Sequence, residues 1–280
     1  MIKIGCQINV YGYDKISSNF EQIAENIAAN GYAGIECGIR FLDQAKKGFY
    51  KDLLHRLGLA VTALHIGGNF LEPDKAAEES NKILNAAELA RFLGARYVFI
   101  SGGYSPQNTT MTYYNQASNY NQLGAACKQL GISLLYHNHN WEIWDDCSGL
   151  EILLNNTSPE NINLVPDLGW VRMGGFDPAA FCLKYNSRIS ALHFKDFHVP
   201  ELQAGISAGS LDYKSLKTSE LARQATELGT GLIDYAPVGS IFADRENFWV
   251  VAEQDYSLRN PAESSLMNYQ YIASVFGNRS

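Results

Sequence analysis

ISLLYH at 132–137, INLVPD at 162–167 and ISALHF at 189–194 are short, almost wholly apolar runs, each with an ionisable residue at or beside its C-terminal end. Strands covered on both faces read this way, which points to a parallel sheet. Working outward, similar runs recur at 3–9 (KIGCQIN), 33–37 (AGIEC), 60–66 (AVTALHI), 96–101 (RYVFIS) and 248–252 (FWVVA). Stretches at helical spacing separate them. Phe20, Ile23, Ala24, Ile27 and Ala28 share one helical face, with Ser18 and Glu21 as a capping box and Gly31 past the end. Ile83, Ala86, Ala87, Ala90 and Leu93 form a second stripe. Asp177-Pro178 and Asn260-Pro261 read as cap-then-proline helix starts. Eight strands, each followed by a helix or a helix-sized gap, predict the α/β class and a closed (β/α)8 TIM barrel, one domain over 1–280. No Gly-rich phosphate loop follows the first strand, which disfavours an open doubly wound sheet. The longest irregular stretch, about 197–233 after the seventh strand, reads as a lid or binding loop ending in Gly229-Thr230-Gly231.

The charge balance, 22 Lys+Arg against 29 Asp+Glu for a net −7, argues against nucleic acid or an anionic membrane surface as the main partner. A hydrophobic fraction of 46% is enough for a large core. No apolar run reaches the roughly 18 residues of a membrane span. The N-terminus enters a strand-like run without the apolar segment of a signal peptide. Five scattered cysteines do not make a disulfide framework and fit a reducing cytoplasm.

Barrels of this kind build their sites at the C-terminal ends of the strands. There the sequence places Gln7, Glu36, His65, Ser101, His137, Asn138, His139, Asp167, His193 and Glu253. Burying so many polar groups costs several kcal/mol each unless they are paired or bind a metal. Glu142, Asp167, His193 and Glu253 make a divalent-metal set, three carboxylates and one imidazole, one from each of the fifth to eighth strands. Oxygen ligands with a single imidazole favour Mn²⁺, with Mg²⁺, Co²⁺ or Zn²⁺ as alternatives. The competing structural readings are a Glu253 pair with Lys195 or Arg245, and Asp167 capping the turn into Leu168-Gly169-Trp170.

The segments YHNHNWE (136–142), VPDLGWV (165–171), ALHFKD (191–196), LGTGLID (228–234) and VVAEQD (250–255) resemble the sugar phosphate isomerase/epimerase family. That family shares the xylose isomerase-like TIM barrel and includes ketose 3-epimerases and inosose dehydratases. The resemblance implies that Glu142, Asp167, His193 and Glu253 hold one metal, and that Glu142 and Glu253 act as acid and base on opposite faces of a sugar.

The expected function is therefore a metal-dependent sugar isomerase or epimerase, working by proton abstraction next to a carbonyl through an enediolate. The alternative is a lyase or dehydratase acting on an inosose or 3-keto-glycoside with the same site. A third reading is a non-catalytic sugar-binding protein. His65, His139, Trp170, Lys195 and Glu36 are the expected substrate-binding residues, with Trp141 and Trp144 as further apolar walls. Lys195 and Asp196 read as a mutual ion pair. The absence of a basic cluster favours an unphosphorylated sugar or cyclitol. The exposed helices of such a barrel can support a homo-oligomer.

Overall fold

The computed structural model describes residues 1–104 and 110–277. Eight strands line the barrel: β1 (Ile2–Gln7), β2 (Gly34–Gly38), β3 (Ala60–Gly68), β4 (Tyr97–Gly102), β5 (Ser133–His137), β6 (Ile162–Leu164), β7 (Ala191–Phe194) and β10 (Phe248–Ala252). A short antiparallel ribbon, β8 (Asp196–Phe197) with β9 (Ala225–Thr226), lies outside it. The barrel strands are parallel in the order β6-β5-β4-β3-β2-β1-β10-β7, and the two ends meet through bridges Leu164–Ile189 and Asp167–His193. All eight expected strands are present, with ends displaced by a few residues.

The helices are α1 (Phe20–Ala29), α2 (Lys47–Arg56), α3 (Ala76–Leu93), α4 (Thr110–Gln129), α5 (Trp144–Asn155), α6 (Leu168–Met173), α7 (Pro178–Lys184), α8 (Pro200–Ala208), α9 (Thr218–Leu221), α10 (Ala236–Phe242) and α11 (Pro261–Val275). The α3 stripe Ile83, Ala86, Ala87, Ala90 and Leu93 is buried as its spacing requires. Asp177 and Asn260 cap α7 and α11, accepting from Ala180 N and Ala262 N. The Ser18–Glu21 capping box does not form: the helix starts at Phe20, and Ser18 Oγ donates to Lys15 O instead.

One side chain gathers the two ends of the excursion after β7. Asp196, fully buried, accepts from the backbone N–H groups of Phe197, Gly229, Gly231, Leu232 and Ile233 at 2.7–3.3 Å. A Cβ at Gly231 would collide with this carboxylate and the Phe197 carbonyl, and Gly229 sits at φ +80°, so both glycines of the LGTG run are required where they stand. The expected Lys195–Asp196 pair is therefore corrected. Successive side chains along an extended chain face opposite ways, so Lys195 enters the barrel while Asp196 holds the excursion's foot.

Candidate metal centre and its cavity

Ala63, Phe99, Leu135, Val165, Ala191 and Trp249 form the layer of side chains filling the barrel. Strand alternation sends the residue two further on into the same interior, one level higher. On β3 to β7 that residue is His65, Ser101, His137, Asp167 and His193 in turn. On β10 Val251 follows Trp249, and Glu253 comes next at the strand's mouth. An apolar floor thus carries a ring of polar groups.

Four of these converge. Among the described residues, His137, Asp167, His193 and Glu253 each bring one ligand atom within 4.8 Å of the others', and all four are buried. His193 Nδ1 is in short contact with Glu253 Oε2. His137 Nε2 lies 3.2 Å from Glu253 Oε2 and 3.6 Å from Asp167 Oδ2. Asp167 Oδ1 accepts from Trp170 N at 2.9 Å, capping α6, while Asp167 Oδ2 is buried with no aligned donor. The capping and metal readings of Asp167 therefore use different oxygens of one carboxylate. Two imidazoles and two carboxylates with an unmet buried oxygen fit a divalent cation such as Mn²⁺, Co²⁺ or Zn²⁺.

The charges explain the protonation states. Burial opposes charging His193, but Glu36 and Glu253 outweigh it and lift the imidazole to about 10. Burial likewise opposes charging His137, and Glu253 with Asp167 raises it to about 9. Burial works against ionised Glu253, yet Lys195, His137 and His193 hold it well below the usual carboxylate range. Both imidazoles are therefore protonated at neutral pH without a metal and must each shed a proton to ligate one. Cation binding should release close to two protons at pH 7. Calorimetric titration in buffers of different ionisation enthalpy checks this, and no buffer dependence would contradict it.

Glu142 is not brought into this group, nor does it line the cavity. It sits five residues beyond the end of β5, and the turn between is pegged by Asn138, whose side chain bonds both the N–H and the C=O of Asp167. The turn carries Glu142 behind the strand, where its oxygens accept from Tyr136 Oη at 2.7 Å and His139 N at 2.8 Å. The expected ligand position is taken by His137, which shares inward parity with Leu135.

Burial is the largest influence on Glu142 and raises it to about 7, with Tyr136 and His139 opposing. Between roughly 4.3, its ordinary value, and 7, the folded chain holds a proton the unfolded chain lacks, so this group's contribution to stability falls as pH rises through that window. Glu142→Gln should abolish that loss, roughly 1.4 kcal/mol per pH unit over about 2.7 units, or about 3.8 kcal/mol. It should raise stability at pH 8 by a net of about 2 kcal/mol, because the amide NH2 leaves one of the two donors, Tyr136 Oη or His139 N, without its acceptor at a cost of about 1–3 kcal/mol. Urea unfolding at pH 5 and pH 8 measures it. A variant less stable than wild type at pH 8 would overturn this assignment.

The other expected site residues divide. Glu36 lies beneath the cluster, not on the cavity wall. Its Oε2 faces His193 Nε2 at 2.7 Å, off the hydrogen-bonding direction, and its Oε1 meets His65 Nδ1 at 2.9 Å and Gln7 Nε2 at 3.1 Å. Glu36 thus supports two imidazoles and leaves His193 Nδ1 turned to the cluster, the usual carboxylate–histidine–metal arrangement. His65, His139, Trp170 and Lys195 do line the cavity. Lys195 Nζ lies 2.5 Å from Asp255, 2.9 Å from Glu253 Oε1 and 4.6 Å from the Trp170 ring centroid. Asp255, which sequence reading missed, shares inward parity with Glu253.

The cavity holds about 770 Å³. From Trp170 a file of rings runs outward through His139, Trp141 and Tyr104 to Trp144, with successive centroids 5.9, 4.3, 5.1 and 5.9 Å apart. The excursion supplies Lys214, Leu216, Lys217 and Thr218 to the same wall. It is tied down by Thr218 Oγ1 donating to Asn140 Oδ1 at 2.7 Å and Lys214 Nζ pairing with Asp145 at 2.7 Å. Directly after Trp144, residues Asp145, Asp146 and Cys147 all have positive φ, at 51°, 56° and 68°. Three consecutive left-handed residues cost roughly 1–2 kcal/mol each.

The model for the xylose isomerase-like TIM barrel family matches residues 24–269. An inosose dehydratase of Geobacillus kaustophilus is 24% identical over 270 residues, 90% of this chain and 86% of that protein. The structure of an L-ribulose 3-epimerase superposes with a TM-score of 0.75 at 20% identity, covering 99% of this chain and 95% of the other. A structure of IOLI protein with a bound zinc atom gives 0.75 at 14% identity, covering 99% of both chains. Among the described residues no helix is long and apolar enough to cross a membrane.

Proposed function

Because the chain belongs to the xylose isomerase-like TIM barrel family, we propose that it is a divalent-metal-dependent lyase that dehydrates a cyclic keto-polyol of the inosose type. His137, Asp167, His193 and Glu253 would hold the cation. When bound, a divalent ion supplies Lewis acidity at the substrate carbonyl, which acidifies the adjacent C–H.

The observation that carries the choice of elimination over epimerisation is that, among the described residues, no cavity-lining carboxylate stands opposite Glu253: Asp255, the other carboxylate on the wall, follows the same strand and shares Lys195 with it. Exchange of a proton between two faces needs an acid or base on each. Of the two glutamates expected for that role, only Glu253 lines the cavity; Glu142 lies behind β5. A single carboxylate suffices for elimination. Glu253 Oε1 takes the proton from the carbon next to the carbonyl, and the same carboxyl passes it to the β-hydroxyl. That hydroxyl leaves as water, a carbon–carbon double bond forms, and Glu253 is ionised again. Lys195, 2.9 Å from Oε1, orients that oxygen and keeps the carboxylate charged at the start of the cycle. His139, whose Nδ1 has no partner, presents an imidazole edge to the substrate's hydroxyls, Trp170 gives its ring an apolar face, and His65, bonded through both nitrogens to Glu36 and Ser101, shapes the wall between them. Similarity to an inosose dehydratase over most of the chain supports the same reading. Five buried free thiols suit a cytoplasmic setting.

The test is incubation of an inosose with Mn²⁺-restored protein in D₂O. A new ultraviolet absorbance from the conjugated product together with loss of water is expected. Deuterium entering next to the carbonyl in an isomer or epimer, without loss of water, would replace this reading with the isomerase one.

A further inference from the structure

We propose that the outer half of the cavity is a subsite for a second ring, so that the natural substrate is a keto-polyol joined to another sugar or aromatic ring. This rests on the reading of the inner half given above. Three independent features point to it.

The first is size. A cavity of about 770 Å³ lies in the upper part of the roughly 300–1,000 Å³ range that encloses ligands of several rings. One six-membered polyol against Trp170 and Lys195 leaves much of that space to water. The second is the wall. The file of rings does not stop at the reacting end: Trp170, 2% exposed, lies at its inner end, and Tyr104, 44% exposed, marks the mouth. Spacings of 4.3–5.9 Å between successive centroids make the file longer than one pyranose ring can cover. The indole N–H groups of Trp141 and Trp144 are buried without acceptors, and a modest turn of either ring would offer its N–H to a ligand hydroxyl. The third is strain. The left-handed turn Asp145–Cys147 comes directly after Trp144, and the Lys214–Asp145 ion pair fastens it to the excursion. Strained backbone of this sort persists where the surroundings over-determine it, and it gathers at ligand clamps. Nothing in the inner site requires Trp144 to be held there.

The experiment titrates Mn²⁺-loaded full-length protein with four unreactive probes by calorimetry. Myo-inositol and methyl β-D-glucopyranoside have one ring; cellobiose and phenyl β-D-glucopyranoside have two. At least one two-ring probe should bind tenfold or more tightly than both one-ring probes, and Trp144→Ala should reduce that ratio to below threefold. Cellobiose against the phenyl glucoside tells a sugar from an aromatic second ring. Equal affinities in wild type, or a ratio unchanged by Trp144→Ala, would overturn the subsite. Should Trp144→Ala fail to fold by thermal melting, Tyr104→Ala, which removes the exposed ring between Trp141 and Trp144, takes its place with the same expected fall in ratio. Failure of the subsite with loss of water from a one-ring inosose intact leaves the dehydratase reading standing. Absence of both exchange and water loss with every keto-polyol tried would sink that reading instead.

Discussion

Asp167→Asn is expected to lower turnover by about 10³-fold or more and to weaken divalent-metal binding at least 100-fold, with the fold intact. The substitution is chosen because the two oxygens of Asp167 do different jobs. Oδ1 caps α6 through Trp170 N, and an amide oxygen keeps that bond. Oδ2 faces the cluster, 3.6 Å from His137 Nε2 and 3.7 Å from Lys195 Nζ, and has no aligned donor. Replacing it by an amide group turns an acceptor into a donor at a metal-ligand position. Lewis-acid assistance is worth several kcal/mol, and about 4 kcal/mol corresponds to 10³ in rate. Thermal unfolding should move by only a few degrees, because no packing is lost. Wild-type turnover in this variant would remove Asp167 from the site.

Asp196→Ala should produce the largest loss of stability of any single change outside the barrel interior, about 4 kcal/mol. Five backbone N–H groups point at this carboxylate from residues 197 and 229–233. Each buried donor left without an acceptor costs about 1–3 kcal/mol, and relaxation of the loop recovers part of the total. Asp196→Asn should fall between, because Oδ1 still accepts from Phe197, Leu232 and Ile233 while the amide N–H meets the donors of Gly229 and Gly231. Substrate KM should rise with the loss, since the loosened excursion carries Leu216, Lys217 and Thr218 of the cavity wall. Urea denaturation measures the stability change. A loss below about 0.5 kcal/mol would mean that its other ties, Thr218 to Asn140 and Lys214 to Asp145, hold the excursion without Asp196.

The barrel was readable in the sequence because both-face burial makes its strands apolar throughout and closure repeats the pattern eight times. Much of the polar ring above the floor was readable too, as an ionisable or hydroxyl-bearing group at one strand end after another. What went astray was parity. Leu135 belongs to the floor, so His137 must face inward, and counting by two along the strand finds it. Glu142 enters the expected ligand set as the carboxylate that follows the fifth strand, and the resemblance of its segment gives the same residue, although a residue beyond the strand is free of the strand's alternation and goes where the turn takes it. Here the turn is fixed by Asn138 grasping the backbone of Asp167, a contact between residues 29 apart that no local pattern contains. The same parity error made a pair of Lys195 and Asp196, which are consecutive and face opposite sides. Glu36, expected to touch substrate, instead lies one level too low and meets His193. The left-handed turn at Asp145–Cys147 carries no Gly or Asn signal and was invisible for that reason.

The most direct test of the account is a calorimetric Mn²⁺ titration of wild type, His137→Gln and Glu142→Gln at one pH. One ion per chain is expected in wild type and, at unchanged affinity, in Glu142→Gln, while His137→Gln should bind at least 100-fold more weakly. Wild-type affinity in His137→Gln together with loss of binding in Glu142→Gln would contradict the four-residue centre described here.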